Sequence, residues 1–230
     1  MGQTKSGRLN SIAGGIDSAL RWLRWPLAVL LLLVLIPTLS ACVSLLVGIV
    51  KAPEPIYPFA GGLGIYLVFW TFLIRHWRTT WLSTLEHELT HALFAMLTFH
   101  RVVGIRTTWR SGGHVRYLGT GNWLITLAPY FFPTVCMLLL PVFMLLPVLE
   151  CRVGDAILGA GFAYHVTSAI RETHLGQSDL HKAGFLFCLM VLPGLNLLTH
   201  GVVVAWCHGG NAGLVSFLRL VGANLRSLFL

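Results

Sequence analysis

Charge is scarce in this sequence: 10% of its 230 residues are charged against 56% hydrophobic, and the mean hydropathy is +0.76. That balance excludes a water-soluble globular domain and assigns the chain to a lipid bilayer. Acid is scarcer than base, with 8 Asp and Glu against 16 Lys and Arg. The resulting charge of +8 is spread through the gaps between apolar runs and forms no single basic stripe. It therefore speaks for membrane topology and anionic headgroups and against a nucleic-acid partner. Paired cysteines are missing too: Cys42, Cys136, Cys151, Cys188 and Cys207 are odd in number and contain no C-x-x-C. This argues against a disulfide frame or a cysteine zinc cage and leaves them as packing residues. Leu39-Ser40-Ala41-Cys42 resembles a lipoprotein-processing site, but the apolar run continues through Val50, as a retained span would. Internal repeats and low-complexity segments are absent as well.

What is present is a succession of long apolar runs. Residues 1–25 form a basic segment with Lys5, Arg8, Arg21 and Arg24, which predicts a cytoplasmic N-terminus. A first span runs from about Pro26 to Val50, and the Pro-rich loop from Lys51 to Pro58 separates it from a second at about Phe59 to Ile74. Arg75, His76 and Arg78 precede a third apolar helix, about Trp81 to Phe99. The polar stretch from His100 to Asn122 carries Arg101, Arg106, Arg110, Arg116 and Ser111-Gly112-Gly113, and it reads as a β-hairpin. Further runs follow at about Trp123–Leu149, Ala156–Ile170 and Gly184–Cys207. Residues 208–230 read as an amphipathic, interfacial helix with Arg219 and Arg226. The expected fold is all-α, a polytopic membrane bundle over residues 26–207 with about six embedded helices and one short hairpin. Strict alternation of spans places the arginine-rich hairpin outside, against the positive-inside tendency, unless the third helix is only partly inserted or the hairpin dips back.

The third run contains His87-Glu88-Leu89-Thr90-His91. Histidines four apart on a helix point within about 40° of each other, one turn apart, so both imidazoles reach one metal ion. Zinc suits imidazole ligands, and a catalytic zinc takes three protein ligands and leaves a fourth position for water. Glu88, beside the first ligand, is placed to take the proton of a water whose pKa the metal lowers to roughly 7. With 10 His and 5 Glu in the chain, chance supplies only about 0.01 such matches. A charged motif in an apolar helix also demands partners or a function. Glu86 reads as a solvated carboxylate near the helix start.

The third ligand has several candidates. Asp179, in Gln177-Ser178-Asp179-Leu180, is the best, although Ser178 or Asp179 could merely cap a helix. His165, His174 and His181 are alternatives, with His165 mid-helix where packing is the ordinary role. Glu172 is the late glutamate that a prenyl-protein-processing type of zinc protease would use. Asp17 and Asp155 read as topological charges, and His100, His114, His200 and His208 as surface or interfacial groups.

At Glu86 to Leu93, at Ser111-Gly112-Gly113-His114-Val115 and at Gln177 to Leu180, the sequence resembles the site-2 protease family of intramembrane zinc metalloproteases, in its small compact bacterial branch. The resemblance implies one zinc ion held by His87, His91 and Asp179, Glu88 as general base, and a membrane-protein substrate. It further implies a multi-pass location in a bacterial inner membrane. Ser178-Asp179-Leu180 stands where many members have Asn-x-x-Pro-x-x-x-Leu-Asp-Gly. No PDZ-like regulatory segment is recognisable, so the bundle or a regulatory partner selects the substrate. Gly112, Gly113, His114 and Val115 are the expected substrate-binding residues, with an edge strand of the hairpin holding an extended peptide by β-addition. Competing readings are a membrane metal transporter, which would need a second polar helix, the prenyl-protein-processing class, and a scaffold with structural zinc.

Overall fold

The computed structural model describes residues 2–74, 81–108, 113–145, 152–174 and 176–228. Helix α1 (Gly2–Trp22) runs almost without a break into α2 (Arg24–Lys51), and α3 (Tyr57–Phe69) follows the Pro-rich loop. The motif helix α4 (Trp81–Leu97) leads into an antiparallel hairpin of β1 (Val102–Thr107) and β2 (Gly113–Tyr117). Then come α5 (Trp123–Leu127), α6 (Thr134–Leu145), α7 (Arg152–Glu172), the short α8 (Ser178–Ala183) and α9 (Phe185–Arg226). The fold is the expected all-α polytopic bundle with one hairpin. Helices α2, α9 and the stretch Glu54–Leu73 are each long and apolar enough to cross a membrane, and α5 with α6, bent by 85°, makes a fourth if taken as one broken span. The estimate of six counted α4 and α7 as well. These two carry most of the buried polar residues.

Small residues let the helices approach. A Cβ on Gly62 of α3 would lie 1.8 Å from the Ala156 carbonyl oxygen, and one on Gly159 of α7 would lie 2.0 Å from that of Phe59. Backbone therefore packs on backbone between α3 and α7, as in membrane helix pairs generally. The irregular Phe131–Pro133 corner between α5 and α6 is satisfied from α9, where Asn196 Nδ2 donates to the Tyr130 carbonyl at 3.0 Å and Thr199 Oγ1 to that of Phe131 at 2.5 Å. Away from water such carbonyls need protein donors.

At both ends of the chain the structure adds contacts to the sequence reading. Gly2–Trp22 is helical, and its Asp17, read as a topological charge, is only 2% exposed. Asn122 Nδ2 donates to Asp17 at 2.8 Å, and Thr120 Oγ1 and His100 Nε2 at 3.0 Å each. Burial alone would raise the Asp17 pKa, but these donors hold it below the ordinary carboxylate value. His100, expected at the surface, is buried by the same contact. This docking sets α1 and the base of the hairpin side by side, and Arg21, Arg24 and Arg116 line one cleft. At the other end α9 breaks at Gly209–Gly210, and Asn211–Arg226 folds back so that Phe217 and Val221 cluster with Ala41 of α2 and Ala205. The terminal helix thus packs one face against the bundle.

Candidate active site

Helix α4 is seated by Phe94 and Ala95 in a core that also holds Ile125, Leu127, Phe131 and Phe187. Thr90 Oγ1 bonds the Glu86 carbonyl at 2.8 Å and pairs with Thr134 Oγ1 at 2.5 Å, fixing the rotation of α4 against α6. One face of α4 then turns His87, Glu88 and His91 toward a cleft of about 880 Å³. Asp179 of α8 enters the same cleft from the far end of the sequence.

His87 Nε2 and His91 Nε2 lie 3.1 Å apart, and Asp179 Oδ2 lies 3.4 Å from the first and 3.2 Å from the second. Zinc bonds of 2.0–2.1 Å at tetrahedral angles place ligand atoms about 3.3 Å apart, so the three donors fit that ion. The tautomers suit it as well. His91 Nδ1 donates to the Ile125 carbonyl at 2.7 Å, leaving the Nε2 lone pair for a metal. Among the described residues this is the one group of three or more His, Cys, Asp or Glu side chains close enough to share an ion. Two imidazoles and a carboxylate suit zinc better than magnesium or calcium, which prefer all-oxygen sites.

Asp179 is not a helix cap. Gln177 occupies the cap position of α8, and no side chain caps there, so the carboxylate is free for the cleft. His165 lies elsewhere: its Nδ1 is 3.6 Å from Glu86 Oε1, on a different side of α4. Glu86, read as solvated, is in fact 6% exposed and faces that histidine. Glu172, His174 and His181 lie outside the ligand group.

The hairpin folds back along α4. Trp81 Nε1 donates to Thr107 Oγ1 at 3.0 Å near the helix start, and Leu118 N to the Arg101 carbonyl at 3.0 Å near its end. Pairing runs Ile105 with Val115, Arg106 with His114 and Thr107 with Gly113, with an irregularity between Val102 and Gly104. All of Gly113–Tyr117 lines the cleft, whereas β1 contributes only Val103. Gly113 sits directly on the carboxylate of Glu88: a Cβ there would fall 2.4 Å from Glu88 Cγ and 2.6 Å from Oε1. Val115 is buried and His114 exposed, while Gly112 lies outside the described residues.

The model of the family described as Peptidase M50B-like matches residues 59–171. Over those residues, just under half of the chain, the protein is similar to the site-2 protease family. The site-2 match covers α4 and the hairpin but ends before Asp179, so the case for that carboxylate rests on its distances to the two imidazoles. Comparison with curated proteins and with solved structures finds no match. Around this site, three residues escaped the sequence reading: Ile125 through its carbonyl, Tyr130 through a ring packed edge-on to His87 at 5.4 Å, and Asp17 in the cleft lining. No side-chain pattern marks a backbone carbonyl in advance, whereas Tyr130, in Ala128-Pro129-Tyr130 at a broken span, carried a weak signal.

Gly113→Ala tests the contact between hairpin and base. The added methyl must push Glu88 from its position, and a displacement near 1 Å costs about 100-fold in rate. Hydrolysis should fall by about that factor with bound zinc unchanged, measured by turnover and metal content together. Full activity would separate Glu88 from the strand.

Proposed function

We propose that this chain is an intramembrane zinc endopeptidase that cuts a membrane-protein segment laid in extended form along β2. The observation that carries the reading is the convergence, in one cleft, of three zinc-compatible donors, a carboxylate one residue from the first, and an exposed strand edge. His87, His91 and Asp179 hold the ion. Bound there, zinc would supply Lewis acidity and acidify water.

Glu88 then acts as the base: its carboxylate takes one proton of the attacking water, and the remaining hydroxyl adds to the scissile carbonyl carbon. As the C–N bond breaks, Glu88 returns that proton to the leaving nitrogen, so water is added across the bond. The free edge of β2 supports the choice of an extended substrate. A helical peptide bond is already hydrogen-bonded and sterically covered, whereas an unwound one can pair with backbone groups of Gly113–Tyr117. Arg21, Arg24 and Arg116, which line the cleft, support a cytoplasmic placement of its mouth and of the N-terminus.

The test is hydrolysis of a single-span substrate by the purified chain in liposomes. Treatment with a strong chelator should abolish cleavage, and added zinc should restore it. Undiminished cleavage by metal-depleted protein would overturn the proposal, as would zinc uptake into the liposomes with no cleavage at all.

A further inference from the structure

Asp17 is a buried carboxylate in a helix that lies before the first apolar span. Burying such a group is costly unless donors surround it, and a merely amphipathic surface helix has no need of one. Its partners come from both sides of the metal site. Through Oδ1 it accepts from Asn122 Nδ2 at 2.8 Å. Asn122 is also the N-cap of α5, its own oxygen accepting from Ile125 N at 3.2 Å. The Ile125 carbonyl in turn holds Nδ1 of His91 at 2.7 Å. Through Oδ2 the same carboxylate accepts from His100 Nε2 at 3.0 Å, and His100 Nδ1 pairs at 3.0 Å with Thr98 Oγ1 just beyond the last turn of α4. Asp17 and Arg21, four residues apart on α1, also line the cleft, as does Arg24 at the start of α2.

From this chain of contacts we infer that Asp17 is a positioning residue of the metal centre, acting through Asn122 and the Ile125 carbonyl to set the ring orientation of His91. The inference rests on the zinc reading above. Only α5 separates the carboxylate from the imidazole, and the three hydrogen bonds between them run through one cap and one carbonyl. Ligand orientation by such outer partners tunes metal affinity, commonly by 10-fold to 100-fold. The N-terminal helix is then part of the catalytic apparatus as well as one wall of its cleft.

Asp17→Asn exchanges an acceptor oxygen for an NH2, which confronts either the Asn122 amide or His100 with a second donor. Asn122→Ser keeps an oxygen to cap α5 but removes the amide N–H donated to Asp17 and shortens the side chain. Each full-length variant, purified in detergent, should bind zinc about 10-fold more weakly in competition with a chelating dye. Each should also shift the visible absorption of the cobalt-substituted protein. The double variant should lose no more than either single change, because both cut one path. Should Asp17→Asn fail to fold, Asn122→Ser decides alone. Wild-type zinc affinity and an unshifted cobalt spectrum in the folded variants would overturn the inference, as would additive losses. A wild-type protein that binds no zinc would instead overturn the metal reading itself.

Discussion

Glu88→Gln should retain a full equivalent of zinc and lose hydrolysis by about 10²-fold to 10⁴-fold, the range over which a positioned general base acts. Glutamine has the shape of glutamate and fits the same narrow space beneath Gly113, so neither His87 nor His91 need move. What it lacks is a basic oxygen: its amide cannot take the proton of water at neutral pH. The contrast between metal content and turnover is therefore informative. A structural zinc site would survive with all of its properties intact, whereas a catalytic one keeps the metal and loses the reaction. Wild-type turnover by the variant would remove Glu88 from the chemistry.

Asp179→Ala should do the reverse and empty the site. The carboxylate is one of three donors, at 3.4 and 3.2 Å from the two imidazoles, and no other acid among the described residues stands close enough to replace it. Loss of a direct ligand should exceed the 10-fold to 100-fold penalty of an outer-shell change, so zinc binding weakens by more than about 100-fold and hydrolysis fails with it. Folding should persist, since the Asp179 side chain makes no cap hydrogen bond at the start of α8. The same measurement on Glu172→Ala, His165→Ala and His174→Ala should find zinc retained. Retention in Asp179→Ala together with loss in Glu172→Ala would point to the prenyl-processing type of ligand set.

Much of this was legible in the sequence because it was written locally. His87, Glu88 and His91 share one helical face whatever surrounds them, and the apolar run fixes that helix within two residues of its observed end. The hairpin was legible from Ser111-Gly112-Gly113 between two polar, weakly alternating stretches. What stayed hidden depended on elements far apart in the chain. Asp17 in a basic segment has the appearance of a solvated charge until His100, Thr120 and Asn122 are folded against it. Glu86 reads the same way until α7 brings His165 within 3.6 Å. The return of the C-terminal helix had a local signal in Gly209–Gly210, but its buried face, built on Phe217 and Val221, is defined only by α2. Asp179 was intermediate: its residue type and position after Gly176 were suggestive, and only the fold removed the capping role that competed with metal binding.

The most direct test of the central claim is X-ray absorption at the zinc edge on the purified, full-length protein, paired with elemental analysis. The account predicts one zinc per chain with two imidazole nitrogens and one carboxylate oxygen among its neighbours at about 2.0–2.1 Å. Protein without stoichiometric metal, or zinc surrounded by sulfur or by a single imidazole, would contradict it.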